Sequence, residues 1–139
     1  MHNKKNLLFN KDHLWCLHRE DNRIVIGISD HCLQRLGDLL LVELPGAGSV
    51  VRRGKIFGRV TSRNAVNDLL SPVDGRVINA NNYLGTSPAT VNADPYGEGW
   101  MLHIQLDCAE QLRALMSAAL YRQYIEEEHH TSTIRFASA

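Results

Sequence analysis

A mainly β fold, packed as a sandwich or flattened barrel, is predicted for this 139-residue chain by three observations. Its apolar runs are short and rich in β-branched residues. Turn residues (Gly, Pro, Asn, Asp) recur between those runs at regular spacing. The one long stretch with helical periodicity lies near the C-terminus. A domain of this length buries roughly 68–70% of the surface its unfolded chain exposes, which is enough for a real core.

In chain order, Phe9 to Leu17 reads as a turn followed by a strand, and His18 to Asn22 as a polar turn. Arg23 to Ile28 is the paired strand. Ser29 or Asp30 can then cap a short helix near 30–36, with Gly37 placed to end it. Asp38 to Leu44 is a further strand, stopped by Pro45-Gly46, and Ala47 to Gly54 is a loop. Lys55–Ser62 and Ala65–Leu70 form the two arms of a hairpin whose tip is Arg63-Asn64-Ala65. Arg76 to Ala80 is the next strand. Leu84 to Gly99 reads as loop, and Trp100 to Leu106 as a strand with one buried face. Asp107 to Glu128 is helical, with Leu112, Leu115, Met116, Leu120, Tyr121 and Tyr124 forming one apolar stripe for docking on the sheet. From His129 onward no pattern is visible. The expected organisation is an N-terminal extension over 1–8, one domain over 9–128 that includes the C-terminal helical segment, and a flexible tail over 129–139.

Phe57-Gly-Arg-Val60 enters the hairpin and Asp74-Gly-Arg-Val77 leaves it, a short internal echo that suggests two similar halves. An exposed hairpin tip is a natural place to present a side chain to a partner.

Fifteen basic and fifteen acidic residues give a formal net charge of zero, which argues against a general nucleic-acid binder. The longest apolar runs are far too short to cross a bilayer, and no signal-peptide core is present. Cys16, Cys32 and Cys108 are widely separated and form no C-x-x-C pair, as expected for reduced thiols in a cytoplasmic protein. No metal-ligand spacing stands out among the seven histidines, and His13 is expected to serve a turn. The glycines beside Glu98 suggest unusual backbone angles, and Glu98 could brace the loop ahead of Trp100. No nucleophile–base pair is legible, so no catalytic residue and no enzyme activity are expected.

Several segments together resemble the glycine cleavage system H protein, a lipoyl-domain carrier family. They are Lys11-Asp12-His13 with Trp15, Gly27-Ile-Ser-Asp30, Leu36-Gly-Asp38 and Val42-Glu-Leu-Pro45. Arg53-Gly-Lys55 with Phe57-Gly58 comes next, then Ala65-Val66, Asp68-Leu69 and Ser71-Pro-Val73 with Gly75. Val91-Asn92 and Asp94-Pro-Tyr-Gly-Glu-Gly-Trp100 complete the set, and the last of these is highly specific. The resemblance runs from about Phe9 to Ile125. It implies a barrel-sandwich hybrid of two small antiparallel sheets with C-terminal helices. It also implies a role in glycine catabolism. Members carry lipoate in amide linkage on a lysine at the hairpin tip. The arm accepts an aminomethyl group from glycine decarboxylase, passes it to aminomethyltransferase, and is reoxidised by dihydrolipoyl dehydrogenase.

The family pattern at the tip is Glu-Ser-Val-Lys-Ala-Val-Ser-Asp-Leu, and this chain reads Thr61-Ser-Arg-Asn-Ala-Val-Asn-Asp-Leu69. Register is fixed without a gap, so Asn64 stands at the lipoyl-lysine position. A carboxamide nitrogen is not a nucleophilic amine, and the Arg63 guanidinium stays protonated. The chain's four lysines, Lys4, Lys5, Lys11 and Lys55, lie away from the tip. The resemblance therefore implies an unmodified Asn64 and no cofactor. Docking is expected through Arg59, Thr61, Ser62, Arg63 and Asp68, with Arg76 adding to a basic field. The implied partners are the three enzymes just named and the lipoate-attachment enzymes. Three readings stand: an H-like paralogue kept as a binding or regulatory module, a carrier whose lysine was lost by mutation, and a chain carrying its group on another residue. The departures at Thr61 and Arg63 favour the first over the second, and no residue supports the third.

Overall fold

A computed structural model of the chain describes residues 6–138. It is mainly β, with two antiparallel sheets and a C-terminal helix. The strands are β1 (Leu7–Phe9), β2 (Leu14–Arg19), β3 (Arg23–Ile28), β4 (Leu39–Glu43), β5 (Val50–Val51), β6 (Ile56–Ser62), β7 (Val66–Leu70), β8 (Gly75–Ala80), β9 (Leu102–Leu106) and β10 (Met116–Ser117). The helices are α1 (Asp30–Leu36), α2 (Tyr83–Thr86), α3 (Ala89–Ala93) and α4 (Ala118–Ser138), with a 3-10 turn over Ala109–Ala114. One sheet has seven strands in the order β10-β1-β2-β3-β9-β8-β5, and the other has three in the order β4-β6-β7. The resemblance implies two small sheets; one is large, and neither closes into a barrel.

Strand β3 lies within the large sheet and is buried on both faces. Ile24, Ile26 and Ile28 join Leu14 and Cys16 of β2 in the main core, which also takes Val42, Val60 and Leu69 from the small sheet. Val25 and Trp15 point the other way, into a second cluster with Leu7, Phe9, Met116 and Tyr121. Side-chain alternation along β2 and β3 thus places one core on each side of the same wall. Gly27 pairs with Trp15, and a Cβ there would lie 2.6 Å from Trp15 Cζ2. The indole needs that space.

The Gly-Arg-Val echo has a structural cause. In β6 and β8 the glycine faces a neighbouring strand's carbonyl: a Cβ would sit 2.4 Å from Glu43 O at Gly58 and 2.4 Å from Gln105 O at Gly75. Arg59 and Arg76 are exposed, and Val60 and Val77 are core. One three-residue device therefore serves a strand in each sheet.

Helix α1 forms as the sequence predicts. Ser29 Oγ accepts from Cys32 N at 3.3 Å, and Gly37, at φ 82°, donates its N–H to Leu33 O. Two predictions are corrected. The loop expected over Leu84–Gly99 contains α2 and α3, whose Leu84 and Val91 are fully buried. These helices lack side-chain caps and are too short for a periodic signal. Asn92 of α3 accepts from Leu39 N (2.9 Å) and donates to Gly37 O (3.0 Å), covering the start of β4. The helix expected from Asp107 is interrupted. Met116 pairs with Phe9 as a strand, and α4 begins only at Ala118. The apolar stripe is accordingly split: Leu112 and Leu115 pack on the main core, Met116 and Tyr121 belong to the second cluster, and Leu120 is half exposed. Backbone helix continues to Ser138, through the segment read as a patternless tail. Of the expected N-terminal extension, Leu7 and Leu8 belong to β1, and residues 1–5 lie outside the described residues.

The Asp94-Pro-Tyr-Gly-Glu-Gly-Trp100 segment locks over the second cluster. Trp15 Nε1 donates to Pro95 O at 3.0 Å. Tyr96 Oη donates to Asp30 Oδ1 at 2.8 Å and accepts from Asp30 N at 3.0 Å. The Asp94 carboxylate, not Glu98, braces the turn by accepting from Glu98 N at 2.9 Å. Gly99 is required by close approach, since a Cβ would meet Asp94 O at 2.8 Å. Unusual angles do not explain it: the described glycines with positive φ are Gly37, Gly48 and Gly54.

Candidate functional site

The hairpin of β6 and β7 carries the site. Its register pairs Arg59 with Asp68, Val60 with Asn67 and Thr61 with Val66. Ser62 N donates to Ala65 O at 2.8 Å, and Ser62 Oγ reaches the same carbonyl at 3.4 Å. That closure projects Arg63 and Asn64 beyond the last rung, where both are exposed with Ala65. Ser62 is itself buried, so its hydroxyl shapes the tip from beneath.

Opposed residues of antiparallel strands share a face, so two rows cross the outer side of the small sheet. Leu41 and Val66 form an apolar row on either side of the Thr61 hydroxyl, with Leu41 44% and Val66 60% exposed. Glu43, Arg59 and Asp68 form a charged row, and Arg59 Nε donates to Asp68 Oδ1 at 3.2 Å. The basic field expected around the tip is correspondingly reduced. Arg59 is paired with Asp68, and Arg76 belongs to the other sheet, where it donates to Gly48 O. Arg63 is the cation at the tip itself.

Beside the tip is a recess of about 220 Å³ lined by Leu36, Gly37, Asp38, Leu40, Arg63 and Asn64. Gly37 and Asp38 also line a larger groove of about 540 Å³ that reaches Asp30, Asn92 and Tyr96. Asn64 thus lines a recess that shares Gly37 and Asp38 with a second groove alongside α1. The local hairpin signal located the tip; the recess joins α1, β4 and the tip, which are distant in sequence.

The other expected features are placed as follows. His13 has φ 67° and its carbonyl accepts from Ser29 N, which fits a turn role. Cys16 and Cys32 are buried and Cys108 is exposed, all as free thiols. Among the described residues no helix is long and apolar enough to cross a membrane. Lys55 precedes β6 at the end of the hairpin remote from Asn64, and Lys4 and Lys5 lie outside the described residues.

Comparison with known proteins places this geometry. The family model described as Glycine cleavage H-protein matches residues 7–128. A glycine cleavage system H protein of Anaeromyxobacter sp. (strain K) is 43% identical over 124 residues, covering 89% of this chain and 96% of that protein. The one from Xanthomonas euvesicatoria pv. vesicatoria (strain 85-10) is 42% identical over 124 residues, covering 89% and 95%. The crystal structure of a glycine cleavage system H protein from Mycobacterium marinum superposes with a TM-score of 0.80 at 30% identity, covering 88% of this chain and 98% of that one. These matches correct the expectation of no cofactor: the matched family is the lipoate-carrying H protein, a carrier rather than a catalyst, so lipoate is the family's cofactor. With the family model spanning nearly all of the described domain, and relatives above 40% identity along most of their length, the chain belongs to the glycine cleavage H-protein family.

Proposed function

We propose that the chain works in the glycine cleavage system as a docking or regulatory module, engaging the lipoate-handling proteins through its hairpin. The observation that carries this is the exposed tip, built on an intact H-protein frame, with Asn64 at its apex. Arg59, Thr61, Arg63 and Asp68 supply the polar contacts of the docking face, Leu41 and Val66 its apolar row, and Ser62 the turn that presents Asn64. Glycine decarboxylase, aminomethyltransferase, dihydrolipoyl dehydrogenase and the lipoate-attachment enzymes are the partners. The free, mostly buried thiols suit a reducing compartment such as the cytoplasm.

Lipoate attachment in the family needs a lysine amine. The residues at this tip do not fit that bond: the Asn64 nitrogen shares its lone pair with its own carbonyl, and Arg63 holds its proton at any working pH. No transfer step is therefore derived through an arm on residue 64, and nothing in the tip supplies catalysis of its own.

The test compares the chain with Asn64→Lys after co-expression with a lipoate-attachment enzyme. Peptide mass spectrometry should find a lipoyl adduct on residue 64 only in the variant, while both proteins bind aminomethyltransferase. An adduct on residue 64 of the unaltered chain, or no binding by either protein, overturns the proposal.

A further inference from the structure

Away from the hairpin, three side chains with metal-binding atoms converge. One ligand atom each from His13, His31 and Glu128 lies within 4.8 Å of the others. His13 comes from the left-handed turn before β2, His31 from the first turn of α1, and Glu128 from α4. His13 Nε2 lies 3.3 Å from Glu128 Oε1, and the two imidazole centroids are 5.1 Å apart. No local spacing announces this cluster, because each residue sits on a different element.

The surroundings of His13 are those of an oriented ligand. Its Nδ1 is 2.7 Å from Tyr121 Oη, which is 2.8 Å from Ser29 Oγ, which accepts from Cys32 N. When the Tyr121 hydroxyl donates to Ser29, its oxygen accepts from His13 Nδ1–H. The lone pair is then on Nε2, facing His31 and Glu128. A hydrogen bond from the other ring nitrogen is what fixes the tautomer and ring direction of metal-bound histidines. His31 and Glu128 are half-buried, leaving the open side of the cluster toward solvent.

We propose that His13, His31 and Glu128 form a binding site for a divalent first-row transition metal, with solvent completing its coordination. Two imidazoles and one carboxylate form a set that Zn²⁺ accepts with a water in the fourth position. Arg35 Nη1 lies 3.2 Å from Glu128 Oε1, so a metal would share that carboxylate with, or displace, a guanidinium whose side chain is 62% exposed. Metal bound here would tie α4 to α1 and to the turn before β2, raising stability by linkage.

The experiment titrates the intact chain with Zn²⁺ alone by calorimetry, and repeats it with His31→Ala, Glu128→Gln and the paired change His129→Ala with His130→Ala. The parent should bind one Zn²⁺ and melt at a higher temperature with it. His31→Ala and Glu128→Gln should each weaken binding roughly tenfold or more, at least the loss seen when outer-shell partners are removed. The tail variant should bind as the parent does. Co²⁺ should give the intense visible bands of a four-coordinate site. Both single changes fall at half-buried positions, and urea unfolding without metal verifies that they fold. Parent-like Zn²⁺ binding by both single variants, or its loss in the tail variant alone, overturns the proposal.

Discussion

Arg59 reaches across the hairpin to Asp68, Nε to Oδ1 at 3.2 Å, with both side chains about half exposed. Water screens such a cross-strand pair, so it contributes to the charge pattern of the docking face more than to stability. Asp68→Asn is expected to change unfolding free energy by less than about 1 kcal/mol in urea titration. It should, however, alter the salt dependence of partner binding measured by surface plasmon resonance, because it removes one of the two carboxylates in the row with Arg59.

Gly27→Ala tests the Trp15 contact. The added methyl would lie 2.6 Å from a ring atom of a side chain that is 1% exposed. The indole must shift and strain its hydrogen bond to Pro95. Overpacking of this kind costs about 1–3 kcal/mol. The loss should appear in urea unfolding, with a changed emission spectrum from Trp15 in the folded state.

Stability should fall as pH is lowered below about 6.5. Burial, the largest cause, keeps the folded His13 pKa below its ordinary 6.5, and His103 is lowered in the same way. The unfolded chain therefore takes up protons that the folded chain does not. The associated stability is complete above 6.5 and is lost as pH falls toward the folded values, after which it levels. Glu128 opposes the shift of His13, and His31 and Arg35 add to it. His13→Asn, which tolerates the left-handed backbone, should flatten the slope of melting temperature against pH in this window.

Thiol labelling should separate the cysteines. Cys108 is exposed, whereas Cys16 and Cys32 are buried with their pKa values raised by burial. A native chain should react quickly with a disulfide reagent at Cys108 and at the other two only on unfolding. Fast reaction at Cys16 would contradict its position between the sheets.

Most of the β architecture was legible because the determining signals are local. The hairpin needed only its two apolar arms and polar tip, and α1 needed Ser29 and Gly37. The region from Leu84 to Gly99 hides its helices from a local reading, because they are about one turn long and owe their existence to the buried Leu84 and Val91. Three- and four-residue spacing from Leu112 to Tyr124 imitated one helix, although Met116 is held as a strand by Phe9, a contact no local window contains. At the site, the tip residues were identified from sequence register. The recess beside them and the His13–His31–Glu128 cluster arise from tertiary approach alone.

The shared wall of β2 and β3 has a consequence for how the molecule opens. The small sheet and its hairpin rest on one side, while α4 closes the other, its Tyr121 stacked 4.2 Å from Phe9 of β1 and clustered with Met116 of β10, the two strands at the edge of the wall. The C-terminal closure can therefore detach as a unit while the hairpin's foundation stays folded. Amide exchange should accordingly occur in two tiers, with Val60 and Leu69 retaining protons long after Met116 and the start of α4 have exchanged.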